Sequence, residues 1–263
     1  MNQTLIQSAA AAGTFTIGGD LTVNRIGYGA MRITGPGIWG PPADKEAALA
    51  TLRRAIMLGV TLIDTADSYG PGNSEQLLAE ALYPYPADLV IATKGGWERP
   101  GPNQWTHNAS PKHLTEALEG SLKRLRLDRI DIYQLHAPDN VISFEASVEA
   151  LARLRDDGKI RHVGLSNVTR EHVERARKIV PIVSVQNRYV LLTMKDGKKI
   201  SGKLLSVDTF AIQIFDSNEK LASISKDTVR DMTMTSPMPS YRDKLTTQEL
   251  SDVISYLMSL KGQ

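Results

Sequence analysis

Thr61-Leu62-Ile63-Asp64-Thr65-Ala66-Asp67-Ser68-Tyr69-Gly70 ends an apolar, strand-like run on a carboxylate, then sets a phenol in a loop closed by Pro71 and Gly72. Loops at strand ends are where folds place chemistry, so Asp64 and Tyr69 are the first candidate site residues. Each also has a plain structural reading, because Asp before a turn often caps a helix and Tyr often half-buries its ring. The surrounding sequence has to decide between the two.

Upstream, Thr14 to Val23 reads as a hairpin around Gly18-Gly19-Asp20, placed to plug or cap something larger. Ile26 to Met31 reads as a short strand whose glycines let a ligand or another backbone approach. Ala43 to Leu58 reads as a helix with Ala47, Leu49, Leu52, Ala55 and Ile56 on its apolar stripe and Gly59 as its stop. Downstream, strands are expected at Leu89 to Lys94, Ile130 to His136, Ile160 to Ser166 and Ile182 to Gln186. Helices are expected between them, at Ser74 to Leu82, Pro111 to Leu125, Phe144 to Asp157 and Arg170 to Ile179. Strands this apolar suit a sheet covered on both faces, and regular alternation with helices implies parallel strands joined by right-handed crossovers.

The polar residues then fall into a pattern. Asp64, Lys94, His136, Ser166 with Asn167, and Gln186 each stand at or just past the C-terminal end of a separate strand. In an α/β barrel that rim is the catalytic face. Taken singly, Lys94 could be a solvated strand end, His136 a satisfied core histidine, Asn167 a turn former and Gln186 an edge polar group. Their convergence on one rim favours a site.

In order and spacing, Asp64-Thr-Ala-Asp-Ser-Tyr69-Gly70, the strand ending in Lys94, Tyr133-Gln134-Leu135-His136, Gly164-Leu165-Ser166-Asn167 and Val185-Gln186-Asn187-Arg188-Tyr189 resemble the aldo-keto reductase superfamily. The resemblance covers about Thr14 to Tyr189. It implies that Asp64, Tyr69, Lys94 and His136 form a catalytic tetrad, that Ser166, Asn167 and Gln186 hold the nicotinamide carboxamide, and that Gly29, Met31 and Asp64 complete the cofactor site. It also implies NADPH as cofactor and a small carbonyl compound, aldehyde or ketone, as substrate.

The residue types suit that chemistry. Hydride addition to a carbonyl leaves negative charge on oxygen, so the site needs a proton donor and fixed positive polarity there. Tyr69 would donate the proton and Lys94 would make a phenol a usable acid. Asp64 would keep Lys94 charged and oriented, and His136 would hydrogen-bond the substrate oxygen. The chemistry calls for no metal.

Composition bounds the rest. The chain has 263 residues and a net charge of +2, too small to argue for nucleic acid or an anionic membrane as main partner. Having no cysteine, it can form neither disulfides, thiolate metal sites nor thioether-linked haem. Met1 to Gly13 lacks the basic and apolar regions of a signal peptide, and no run approaches the ~20 apolar residues of a membrane span, so a cytoplasmic protein is expected. Oligomeric state is not legible.

After Tyr189 the alternation ends. Leu191 to Met194, Lys199 to Leu205, Phe210 to Phe215, Leu221 to Ile224 and Val229 to Met234 read as an antiparallel meander with turns such as Asp196-Gly197. Its alternation is similar to small Sm-like barrels, but no basic, aromatic RNA surface accompanies it. Thr246-Thr247-Gln248-Glu249 is a capping box before a helix with Leu250, Val253, Ile254, Leu257 and Leu260 on one stripe. With Ser236-Pro237-Met238-Pro239 ahead of it, this end resembles the last part of a bacterial c-type cytochrome domain, without the Cys-x-x-Cys-His attachment motif.

The expected architecture is therefore α/β. An incomplete TIM-type barrel with six of eight strands spans residues 1–189, followed by a β meander and C-terminal helix over residues 190–263. The expected activity is NADPH-dependent carbonyl reduction. The alternatives are a non-catalytic fusion or truncated protein in which the reductase-like half is only a scaffold, and an electron carrier, for which the sequence offers no haem attachment.

Overall fold

The computed structural model describes residues 8–207, 209–216 and 220–235, and the chain divides into two compact units, Met1–Asn187 and Arg188–Gln263. After a 3₁₀ turn at Ala9–Ala12, the first unit forms the hairpin β1 (Thr14–Ile17) and β2 (Leu21–Asn24), turned by Gly18 and Gly19 at positive φ. Its inward residues Ile17, Leu21 and Val23 pack against Val90, Ala92 and Ile132, near the N-terminal ends of the strands that follow. The hairpin thus plugs the end opposite the polar rim, as its sequence suggests. Asp20 at its turn ties it down through Arg161 and His162.

Next come β3 (Tyr28–Gly29), α1 (Lys45–Met57), β4 (Leu62–Asp64), α2 (Asn73–Leu82) and β5 (Val90–Gly95). The short ribbon β6 (Trp97–Glu98) and β7 (Thr106–His107) precedes α3 (Pro111–Leu125) and β8 (Ile130–Leu135). The unit ends with α4 (Phe144–Asp156), β9 (Ile160–Ser166), α5 (Arg170–Ala176) and β10 (Ile182–Gln186). Strands β10, β9, β8, β5, β4 and β3 lie in that order in one sheet, all parallel. This is the six-stranded part of a (β/α) barrel. Every residue of β5 is buried, which explains why its sequence has no polar face.

The helices begin where local chemistry tells them to. Asp44, Ser110, Ser143 and Thr169 each accept a hydrogen bond from a first-turn amide of α1, α3, α4 and α5. Three expectations shift. The face of α1 that packs inward is Ala48, Leu49, Leu52 and Ala55, and Ala47 is exposed. Ser74 does not open α2, because the helix already starts at Asn73 and the buried Ser74 hydroxyl bonds Thr65 and the Ala30 carbonyl instead. Only Tyr28 and Gly29 of the expected strand Ile26 to Met31 are extended in the sheet, since Ala30–Ile33 turns into a 3₁₀ helix.

The second unit is an antiparallel sheet of β11 (Tyr189–Met194), β12 (Lys199–Val207), β13 (Ala211–Phe215), β14 (Leu221–Ser225) and β15 (Val229–Thr235). The first four strands form the expected meander, but β15 returns to the far side of β11, giving the order β14, β13, β12, β11, β15. Val190, Leu192, Ile212, Ile214 and Ile224 form its core. The helix expected at Leu250 to Leu260, like Met238, lies outside the described residues. No helix among the described residues is long and apolar enough to cross a membrane.

Candidate active site

The rim of the parallel sheet brings together Asp64, Tyr69, Lys94 and His136, the four residues expected to form a tetrad. Lys94, next to last in β5 and only 1% exposed, uses all three ammonium protons. They go to Asp64 Oδ2 at 2.7 Å, the Thr65 carbonyl at 2.9 Å and Tyr69 Oη at 3.4 Å. Tyr69 and His136, each 7% exposed, meet edge to face with ring centroids 5.8 Å apart. The His136 amide donates to the Gly95 carbonyl at 2.9 Å, and Ser68 Oγ lies 3.4 Å from its Nδ1.

Asp64 is oriented from three sides. Gln134 Nε2 donates to Oδ1 at 3.0 Å, while Gln186 Nε2 and Lys94 share Oδ2, the former at 3.2 Å. Gln134 belongs to the quoted Tyr-Gln-Leu-His run, where the resemblance implies no role for it. Its signal was available, because it stands two residues before His136 near the strand end and so turns to the same face. Gly164 on the neighbouring β9 makes room for it, since a methyl group there would stand 2.9 Å from Gln134 Cγ and overlap the Ser184 hydroxyl.

The remaining candidates flank this cluster on both sides, Ser166, Asn167 and Gln186 at the ends of β9 and β10, and Gly29 and Met31 at and just after β3 on the other edge of the sheet. Asn167 takes a left-handed conformation, φ 56°, that Asn tolerates, and its amide donates to the His136 carbonyl at 2.9 Å and Ser166 Oγ at 3.2 Å. The Asn167 backbone amide donates to the Gln186 carbonyl at 3.0 Å, which binds the ends of β9 and β10. Gly29 pairs with Asp64 in the sheet, and a methyl group at Gly29 would meet nothing within 4 Å, so the flank of Asp64 is open. Met31 lies on the 3₁₀ turn after β3, half-buried, and its carbonyl accepts from Thr34 Oγ1.

Burial works against the Lys94 ammonium, but the charge of Asp64 and the contacts of Asp64 and Tyr69 outweigh it and hold the pKa above its ordinary value. Lys94 is therefore a fixed positive charge 3.4 Å from the Tyr69 oxygen. An array of phenol, ammonium, carboxylate and imidazole can deliver a proton to an oxygen and stabilise the negative charge developing on it.

Asp67, from the same loop, behaves differently. Burial, reinforced by the Glu75 carboxylate, pushes its carboxyl up to about 8 despite the opposing pull of Arg124. Its Oδ1 is buried with no hydrogen-bond partner among the described residues, and it borders a cavity of about 380 Å³ with Ser68, Trp97 and Arg99. Because the folded chain holds this proton well above the ordinary 3.8, it binds more protons than the unfolded chain between those values. Stability should therefore fall as pH rises from about 4 to 8. Asp67→Asn is expected to remove this slope and to exceed wild type in stability at pH 8. Denaturant titrations across that range check it, and parallel curves for the two proteins would refute it.

Comparison with known proteins gives two matches to protein families. The model of the aldo/keto reductase family matches residues 25–205, and that of cytochrome c matches residues 191–261. Pyridoxine 4-dehydrogenase of Escherichia coli is 44% identical over 197 residues, 72% of this chain and 68% of that protein. The solved glycerol dehydrogenase of Gluconobacter oxydans superposes with a TM-score of 0.60 at 34% identity, over 66% of this chain and 54% of that one. An aldo/keto reductase of Klebsiella pneumoniae, solved with NADP and acetate, gives 0.51 at 30% identity, over 64% and 54% of the two chains. The chain spans roughly half to two thirds of the length of the curated relatives it matches.

Proposed function

The chain belongs to the aldo/keto reductase family, and from that premise we propose that it reduces an aldehyde or ketone to the alcohol with NADPH. The observation that carries this reading is the Lys94 ammonium, buried and bonded at once to Asp64 and Tyr69. That arrangement has little use in a mere scaffold, because placing three polar groups around a buried charge is costly.

The donor set beside it suits a nicotinamide. A carboxamide offers one acceptor and two donors, and the Ser166 hydroxyl with the Asn167 and Gln186 side-chain amides can answer all three. The open flank at Gly29 leaves space next to Asp64. NADPH, when bound, supplies the hydride. Tyr69 gives its proton to the carbonyl oxygen, and Lys94 stabilises the phenolate oxygen left behind. Asp64, itself held by Gln134, fixes the Lys94 ammonium in place. His136 directs its ring to the substrate oxygen and sets the approach. In balance, one carbonyl, one hydride and one proton give one alcohol.

Asn167→Ala and Gln186→Ala are each expected to weaken NADPH by about 0.5 to 1.5 kcal/mol, roughly two- to tenfold, by removing a hydrogen bond to the carboxamide. Fluorescence titration measures this, and unchanged affinity in both variants would place the nicotinamide elsewhere.

A second reading, a non-catalytic scaffold, draws on the edge strand β10, where Val185 is 47% exposed and Gln186 is exposed. The titration separates the two. Saturable NADPH binding by the wild-type chain supports the reductase, and no binding up to millimolar concentration supports the scaffold. We also propose that residues 190–263 form a domain of their own. Despite the cytochrome c match, a chain without cysteine cannot hold haem through thioether bonds.

A further inference from the structure

Arg99 follows the first strand of the β6–β7 ribbon, and among the described residues no carboxylate pairs with it. Four of its five N–H groups go to backbone carbonyls instead. Nε donates to Gln104 at 2.9 Å, Nη1 to Ile38 and Ser68 at 2.9 Å each, and Nη2 to Gly37 at 3.1 Å. These acceptors belong to three loops, after β3, after β4 and within the ribbon. The guanidinium also stacks over Trp105 at 3.7 Å and lies 5.5 Å from the centroid of Trp39.

Two features connect this clamp to the chemistry. Ser68, whose carbonyl it holds, directly precedes Tyr69, and Trp97 and Trp105 approach His136 edge-on at 6.2 and 6.4 Å. The loop after β3 is strained. Ile38 has φ 57°, a region that a β-branched side chain strongly disfavours, and Gly37 beside it has φ 70°. The Ile38 carbonyl is gripped from two directions, by Arg99 and by the amide of Gly70, the residue after Tyr69. Strain of this kind persists only where surrounding bonds over-determine it, and strained backbone clusters at functional sites.

We propose that Arg99 is a positioning residue, which locks the Tyr69 loop and the tryptophan-bearing ribbon into one arrangement and so sets how a carbonyl substrate is seated. Its guanidinium acts through the backbone carbonyls of Gly37, Ile38, Ser68 and Gln104. A lysine cannot replace it, because an ammonium is a point donor and lacks the planar fork that reaches several carbonyls and stacks on an indole.

The chain's only three tryptophans, Trp39, Trp97 and Trp105, all lie in this cluster, so intrinsic fluorescence reports on the clamp directly. In the full chain, Arg99→Ala and Arg99→Lys should both red-shift tryptophan emission. Both should also speed amide exchange in residues 35–40, 67–72 and 101–107 together, with the core strands β5 and β8 unchanged. Wild-type emission and loop exchange in both variants would overturn the proposal, as would exchange accelerated equally in β5 and β8. A kinetic arm rests on the reductase reading. There, KM for an aldehyde should rise at least about tenfold in both variants with NADPH affinity unchanged, and an unchanged KM would likewise overturn it. If the wild-type chain reduces nothing, the fluorescence and exchange arms still decide the role of Arg99 while the reductase reading alone fails.

Discussion

Tyr69→Phe is expected to abolish carbonyl reduction while leaving NADPH affinity and the fold nearly intact. The substitution deletes one oxygen. The ring, buried against His136 and 5.1 Å from the Lys94 ammonium, keeps its packing, and Lys94 keeps Asp64 and the Thr65 carbonyl as acceptors. What disappears is the only phenol in the cluster, and with it the proton for the substrate oxygen. Positioned proton transfer contributes about 10² to 10⁴ in rate, so turnover should fall at least that far. The weak 3.4 Å bond to Lys94 makes the stability cost small, about 1 kcal/mol or less. Steady-state assays beside cofactor titrations test this. Wild-type turnover in the variant would remove Tyr69 from the role of acid.

Lys94→Met is expected to cost both activity and stability. Methionine fills the volume but leaves Asp64 with two neutral amides, those of Gln134 and Gln186, in place of a cation. Breaking a buried ion pair from one side typically costs ~3 to 5 kcal/mol, and the 21% exposure of the Asp64 side chain puts the expected loss near the lower end. Turnover should drop by at least about 10² to 10³, the usual effect of removing a fixed charge or donor at a developing oxyanion. The pH dependence gives a separate signature. The folded pKa of Lys94 is raised above its ordinary 10.5, so the pair's contribution is fully present below that value and is lost as pH climbs through the higher folded value. Wild type should therefore lose this part of its stability only in strong alkali, whereas the variant lacks it throughout. Denaturant midpoints from neutral to alkaline pH check both statements, and equal stability at neutral pH would contradict the ion-pair account.

The parallel half of this chain is legible in its sequence because two independent periodicities agree there. Apolar runs mark strands buried on both faces, as in β5, and a polar residue closes each run, as Lys94 does. Cap chemistry at Asp44, Ser110, Ser143 and Thr169 fixes the starts of four helices by local means alone. Legibility ends where a distant partner outbids a local preference. Ser74 looks like a cap, yet Thr65 and Ala30 claim its hydroxyl. The return of β15 to β11 joins segments about 40 residues apart, which no alternation pattern encodes. At the site, residue types at strand ends point to the proposed tetrad, whereas the settings of Arg99 and Asp67 come from loops and helices that meet only in three dimensions. A charged residue in a polar loop carries no local mark of what it will clamp.

On the proposed reading, the cluster of Asp64, Tyr69, Lys94 and His136 completes hydride reduction of a carbonyl. Its most direct test follows the label from NADPH deuterated at the transferring position of its nicotinamide ring, incubated with an aldehyde and the full chain, with the alcohol analysed by mass spectrometry. Wild type should give an alcohol carrying one deuterium on the former carbonyl carbon, and Tyr69→Phe none above background at saturating cofactor. Unlabelled product, no product from wild type, or equal label from both proteins would contradict it.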